Sequence, residues 1–239
     1  MKKQSRRDFL ATTSIGAAAA LTAAVPALAF TRPDATKPAL LGGTPVRSKK
    51  FPAWPIWDDQ DEAAVVSVLR SGIWSRDTVV TRTEKKYAEL MGARYCLLTS
   101  NGTQALITAL RALNVEGGDE VITSPYTFIA TVDAILLNNA LPVYVDIDPE
   151  TWQMDADNIG KKITPATKVL LPVHILGGLS HMDKIRTLAN RHGLKIVEDA
   201  CEAHLAEWKG QKAGTLGDLG CFSLQNGKQI TCGEGCAIL

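Results

Sequence analysis

Between Tyr95 and Glu198, short apolar runs alternate with segments of helical period, and this alternation constrains the fold more than any other feature of the chain. Tyr95–Thr99, Glu120–Thr123, Pro142–Asp146, Lys168–Val173 and Lys195–Glu198 read as strands. Between them lie predicted helices. One carries Ala105, Leu106, Ala109, Leu110 and Leu113 on a single face, and another carries Ile129, Val132, Ile135 and Leu136. A third falls near Asp155–Lys162, and a fourth runs from Met182 to His192 with Gly193 as its cap. Strands and helices in this rotation predict an α/β domain, a mostly parallel sheet sandwiched by helices. The chain has 239 residues, 46% of them hydrophobic, enough for a sizeable core.

The ends of the chain read differently. Ser5-Arg6-Arg7-Asp8-Phe9-Leu10 precedes a small, mildly apolar run from Ala11 to Ala27, and Ala27-Leu28-Ala29 fits a signal-peptidase site. Residues 1–29 are therefore expected to be a signal peptide of the twin-arginine type, an ordinary secretory signal being the alternative. The run is too rich in alanine and threonine to predict a stable membrane anchor after cleavage, so the expected location is periplasmic or exported. Residues 30–58, rich in proline, glycine and tryptophan, read as an extended N-terminal arm. A main domain over 59–239 follows, opened by a helix with Asp58, Asp59 and Asp61 at its positive end. Ala237–Leu239 reads as a strand just starting, so this domain is expected to be truncated at its C-terminal end.

Net charge and cysteine usage exclude some functions. The formal charge is +1 with no basic block, which argues against nucleic acid as a partner. Five cysteines give no clean disulfide framework, although Cys232 and Cys236 are close enough in sequence to pair in an oxidising compartment. His174, His181, His192 and His204 are scattered without ligand spacing, and no metal site is predicted.

The stretch Cys221–Cys236 raises the question of chemistry. An apolar strand, Cys221–Leu224, runs into the turn Gln225-Asn226-Gly227, then Lys228, then Gly233-Glu234-Gly235. Lys228 is either a solvated loop lysine or an amine that forms a Schiff base with a carbonyl. A lysine-bound pyridoxal phosphate needs a phosphate cradle, a carboxylate for its ring nitrogen and a flat group over its ring. In open α/β sheets such groups lie beyond the carboxyl ends of strands. Three candidates fall there. Asn101-Gly102-Thr103 leads into a helix N-terminus, Asp199 leaves a strand, and Tyr126-Thr127-Phe128 follows another.

These features occur together and in order. Leu41–Pro45, Ser100–Leu106, Gly118–Thr123, Tyr126–Thr131, Pro142–Asp148, Pro172–His174, Val197–Ala200, Gly217–Ser223 and Lys228 with Gly233–Gly235 make up the set. From about Ala39 to Leu239 the chain resembles the DegT/StrS-type pyridoxal-phosphate sugar aminotransferases, built on the aspartate aminotransferase fold (fold type I). The resemblance implies that Lys228 forms the Schiff base and shuttles a proton, and that Asp199 pairs with the pyridine nitrogen. It implies that Phe128 stacks on the ring, with Tyr126 as second candidate, and that Gly102, Thr103 and Ser223 bind phosphate. Glu202 takes a cofactor-side position usually held by glutamine or histidine. A family relative with histidine in place of the lysine is a dehydratase, so Lys228 implies transamination.

The implied reaction moves an amino group from an amino acid, with glutamate expected, to a keto-sugar, expected to be nucleotide-linked. The implied assembly is a homodimer. Cys236 stands where the family usually has glycine, and the family's C-terminal small domain does not follow in this sequence. The alternatives are a non-catalytic pyridoxal-phosphate-binding or sensor protein and an inactive truncated fragment. Export through the twin-arginine route suits a protein that loads its cofactor in the cytoplasm.

Overall fold

The computed structural model describes residues 36–239. The expected signal peptide, 1–29, lies outside them. The chain forms two units, divided between Pro52 and Ala53. In the first, the described residues make a single 3-10 turn, Ala39–Leu41, closed by Gly42 in the left-handed region. No helix among the described residues is long and apolar enough to cross a membrane.

The second unit begins with Trp54, Ile56 and Trp57 and then forms helix α1, Asp59–Ser71. Asp58 caps α1 through its Oδ1, which accepts from the amides of Gln60 (2.8 Å) and Asp61 (3.0 Å), while Asp61 returns the bond to the Asp58 amide. The apolar side of α1 is uncovered in this chain, with no residue of the helix buried. Helix α2, Thr78–Met91, buries Tyr87, Ala88 and Met91. Its buried Glu84 accepts from Arg76 and from the Leu98 amide, which ties α2 to the strand that follows.

Then the predicted rotation sets in. Strand β1 is Leu97–Thr99, helix α3 Gly102–Ala112, β2 Glu120–Thr123, α4 Ile129–Leu136 and β3 Leu141–Tyr144. A single turn, α5 (Ala156–Ile159), precedes β4 (Thr167–Leu171), α6 (Met182–His192) and β5 (Lys195–Asp199). A two-residue-per-strand hairpin, β6 (Glu207–Trp208) and β7 (Gln211–Lys212), leads to β8 (Leu219–Ser223) and β9 (Cys236–Ile238).

Seven of these strands form one sheet in the order β1-β9-β8-β5-β4-β2-β3. Pairing is parallel from β8 to β3, whereas β9 runs antiparallel to both β8 and β1. The segment read as a strand just starting lies in β9, an interior strand, with Cys236 opposite Ser223 on one side and Thr99 on the other.

Alternation along the strands sorts the core. Val121, Val169, Leu171, Val197 and Cys221 face the cluster that holds Leu106 and Leu110 of α3 and Ile135 of α4. Ile122, Leu170 and Ile196 face Met182 and Ile185 of α6. Phe222 and Ala237 meet Tyr87 and Met91 of α2. A sheet buried on both faces needs such runs of consecutive apolar residues. The loop before β8 lies so close to Phe222 that a Cβ on Gly214 would sit 2.2 Å from its ring, and only glycine fits.

Candidate functional site

The carboxyl ends of β1, β5 and β8 meet at one edge of the sheet, with the ends of β2 and β4 beside them. There they enclose a cavity of about 390 Å³. All seven residues singled out from the sequence line it: Gly102, Thr103, Phe128, Asp199, Glu202, Ser223 and Lys228. Tyr126, the second aromatic candidate, does not line it and instead stands edge-on to Trp152.

Asp199 is the best-held group. It is the last residue of β5 and buried. Its backbone is pinned to the next strand's end: its amide donates to Pro172 O and its carbonyl accepts from the His174 amide, both at 2.9 Å. Its side chain accepts from the Thr131 hydroxyl at 2.7 Å and from the Cys201 amide at 3.2 Å. Thr127 completes the chain with its hydroxyl 2.6 Å from that of Thr131. Neither threonine was singled out from the sequence. The only signal was spacing, since Thr131 lies one helical turn beyond Phe128.

A second carboxylate, Glu198, lies one residue earlier on the opposite side of the strand and is fully buried. It accepts from the amides of Gly214 (2.8 Å), Leu216 (2.7 Å) and Gly217 (2.6 Å) and contacts His174 Nε2 at 2.8 Å. His174 Nδ1 accepts from the Ser180 amide, which leaves the proton on Nε2, directed at Glu198. His174 is thereby a locked structural histidine in the wall of the cavity.

The floor is built by α3. Asn101 Oδ1 caps the helix by accepting the Gln104 amide at 2.9 Å. Ahead of that bond lie the first-turn amides of Gly102 and Thr103. Gly102 keeps the space beside them open: a Cβ there would come within 3.4 Å of Cys201 Sγ and 3.5 Å of Ser223 Cβ. An open cradle of helix amides flanked by a hydroxyl fits a phosphate. Phe128, at the N-terminal boundary of α4, is 71% exposed and lines the cavity.

Lys228 closes the other side. Its Nζ donates to Glu202 Oε1 at 3.3 Å, and both side chains are partly buried. The turn that carries it is held by the Lys228 amide on Gln225 O (2.9 Å), by Gln229 Nε2 on Glu202 O (2.7 Å), and by Trp54 Nε1 on Asn226 O (3.1 Å). His204 Nδ1 lies 3.1 Å from Gln229 Oε1. Burial lowers the His204 pKa; the Gln229 hydrogen bond works against this shift, and the charge on Lys228 adds to it.

Cys201 also lines the cavity, but its thiol is poorly suited to act as a nucleophile. The Cys236 thiol beside it, burial and the Asp199 charge all push its pKa well up. Cys232 and Cys236, considered from sequence as a pair, are both free thiols, one exposed and the other buried in β9. No group of metal-ligating side chains occurs among the described residues.

The chain is 39% identical over 204 residues to the L-glutamine:2-deoxy-scyllo-inosose aminotransferase of Streptomyces kanamyceticus, covering 82% of this chain and 48% of that protein. The crystal structure of 3-amino-5-hydroxybenzoic acid synthase matches with a TM-score of 0.78 at 38% identity, covering 80% of this chain and 50% of the other. NtdA from Bacillus subtilis, solved with bound cofactor PMP, matches with a TM-score of 0.72 at 37% identity, covering 77% and 42%. The chain therefore spans about half the length of the relatives it matches. A family model covers residues 55–239, nearly the whole second unit, and the chain belongs to the DegT/DnrJ/EryC1/StrS aminotransferase family.

Proposed function

We propose that the cavity binds pyridoxal phosphate and serves a transamination from an amino acid to the carbonyl of a sugar or a sugar-like ring. The observation that carries this reading is the placement of Lys228, Asp199 and the Gly102–Ser223 cradle around one cavity. The fit is chemical as well as spatial. The cradle offers amides and hydroxyls to a dianion, Asp199 offers an anchored carboxylate, and Lys228 offers a primary amine. NtdA, with the same fold, holds PMP, the amino form of this cofactor.

Bound pyridoxal phosphate would supply an electron sink for the substrate carbon that loses or gains a proton. The chain's own residues would do the rest. Asp199 would keep the ring nitrogen protonated through a charged hydrogen bond. Gly102, Thr103 and Ser223 would hold the phosphate, and the Phe128 ring would cover one face of the cofactor. Lys228 would link to the cofactor's carbonyl and, once displaced, carry the proton between carbon centres.

The acceptor class rests on the names of the relatives, which include an inosose aminotransferase. A cyclic keto-polyol is accordingly the first acceptor to test, with nucleotide-linked keto-sugars beside it. L-Glutamine and L-glutamate are the donors to compare. Exposed Trp57, Ile73 and Trp74, with Val65 and Leu69 of α1, offer an apolar surface for a second copy in a homodimer. A twin-arginine-type leader over residues 1–29 would direct export of the folded protein.

The test is to add pyridoxal phosphate to the purified chain, follow the visible band, reduce with borohydride and map the adduct by mass spectrometry. The adduct is expected on Lys228 and is expected to vanish in Lys228→Ala. An adduct elsewhere, or none on folded protein, would overturn the reading.

A further inference from the structure

Glu202 is the point at which three loops meet. Its Oε1 receives Lys228 Nζ at 3.3 Å, its Oε2 receives the Leu176 amide at 2.9 Å, and its backbone carbonyl receives Gln229 Nε2 at 2.7 Å. The partners come from the loops after β4 and β8, and Glu202 itself from the loop after β5. Leu176 adopts a φ of 56°, in the left-handed region that a side-chain-bearing residue enters at a cost. In that conformation its N–H points at the carboxylate. Glu202 is thus held from behind by a group unrelated to Lys228, with its second oxygen left for the amine. The two side chains are 23% and 32% exposed, so the pair is partly shielded from water.

We propose that Glu202 is the dock of the free Lys228 amine. It receives that amine before cofactor enters, and again once the displaced amine has taken a proton from the substrate carbon. The functional meaning rests on Lys228 being a carbonyl-binding amine, as argued above; the pairing itself does not.

The chemistry balances as follows. To join a carbonyl, the ammonium first gives up one proton, which passes through the Glu202 carboxylate to solvent. The freed lone pair attacks the carbonyl carbon. The two remaining N–H hydrogens leave with the carbonyl oxygen as water, and the C=N bond remains. Release of Lys228 by another amine leaves it neutral; the proton it then takes is the one it removes from the substrate carbon, and Glu202 is where the resulting charge is received. A glutamine could still accept the Leu176 N–H, but it could neither pair with an ammonium by charge nor take its proton.

The experiment uses the cofactor-free full chain. A brief exposure to acetic anhydride at neutral pH acetylates unprotonated amines, and peptide mass spectrometry gives the rate at Lys228 relative to exposed Lys86 on α2. In Glu202→Gln, Lys228 is expected to react about three- to tenfold faster, the range for loss of a partly buried charged hydrogen bond. Glu202→Asp keeps the charge but withdraws it by one methylene, and is expected to give a rate between those of the wild type and Glu202→Gln. An equal or slower rate in Glu202→Gln overturns the proposal. If Glu202→Gln does not fold, Glu202→Asp decides, and a rate no faster than that of the wild type overturns it. Because the assay contains no cofactor, failure to bind pyridoxal phosphate would remove the functional reading while this result could still be read.

Discussion

The Thr131 hydroxyl donates to Asp199 Oδ2 at 2.7 Å, and the Thr127 hydroxyl stands 2.6 Å behind it. The Thr131 proton is given to Asp199, so the Thr127 proton points to Thr131. The relay and the Cys201 amide take one lone pair from each Asp199 oxygen and fix its rotamer, leaving the others to the cavity. Thr131→Val removes the donor at nearly constant volume. Pyridoxal phosphate affinity, titrated by the visible band, is expected to fall about tenfold, the worth of one hydrogen bond to a charged group. Thr131→Ser keeps the hydroxyl and is expected to keep most of the affinity. Equal losses in both variants would refute the relay.

Gly102 makes a separable prediction about the phosphate. A Cβ there would be at ordinary contact distance from Cys201 and Ser223, so Gly102→Ala is expected to fold with little change in melting temperature. The methyl group would nevertheless occupy the space beside the first-turn amides of α3. Affinity for pyridoxal phosphate is expected to drop at least tenfold, and affinity for pyridoxal, which lacks the phosphate, to change little. A parallel loss for both ligands would place the phosphate elsewhere.

Glu198 bears on stability. Its carboxylate satisfies three loop amides and the buried His174. Glu198→Ala leaves three of these partners unpaired in the interior, Gly217 being partly buried, and is expected to cost about 3–5 kcal/mol, read as a shift in urea midpoint. A loss below about 1 kcal/mol would mean that the loop finds other partners.

How much of this was legible in the sequence follows from the range of each interaction. Strands and helices built on apolar period were found near their observed places, because the period records which faces are buried. The hairpin β6–β7 was missed: two-residue strands have no measurable alternation, and its turn depends on Lys209 and Gly210 both taking positive φ. The helix expected over Asp155–Lys162 is one turn only, with the Asn158 side chain bound back to Asp155. That β9 runs antiparallel between β1 and β8 is a long-range fact with no local trace. The candidate site residues were legible because each ends or follows a strand and stands in wording that resembles a known family. Their partners were not, because Thr131 and Asp199 are 68 residues apart and His174 and Glu198 are 24 apart.

His204 gives the acid limb of the stability profile a testable component. Burial lowers its folded-state pKa below the usual value of about 6.5, opposed by Gln229 and assisted by Lys228. The unfolded chain therefore binds the proton more readily than the folded one. The stabilisation is fully present above the usual value and is lost as pH falls through the folded one. Urea midpoints measured from about pH 7 down to about pH 5 are expected to fall less steeply in His204→Gln than in the wild type. Identical slopes would show that other groups control this limb.

The cysteines make the last prediction, which also bears on the compartment. Cys221 and Cys236 are buried on strands that face the core, and burial pushes the Cys221 thiol well up. Cys96 is pushed up to about 12, by burial first and then by the Glu84 charge. Cys232 alone is exposed, and burial of part of its surface together with Glu234 raises its thiol as well. Iodoacetamide on the native protein is therefore expected to label Cys232 first, more slowly than an unhindered thiol because less of it is thiolate at a given pH. The other four cysteines are expected to react fully only after denaturation. A Cys232–Cys236 disulfide in protein recovered from an oxidising compartment would mean that the buried Cys236 thiol becomes accessible to the exposed Cys232 there. Its absence after such recovery is the outcome expected while one thiol stays exposed and the other buried.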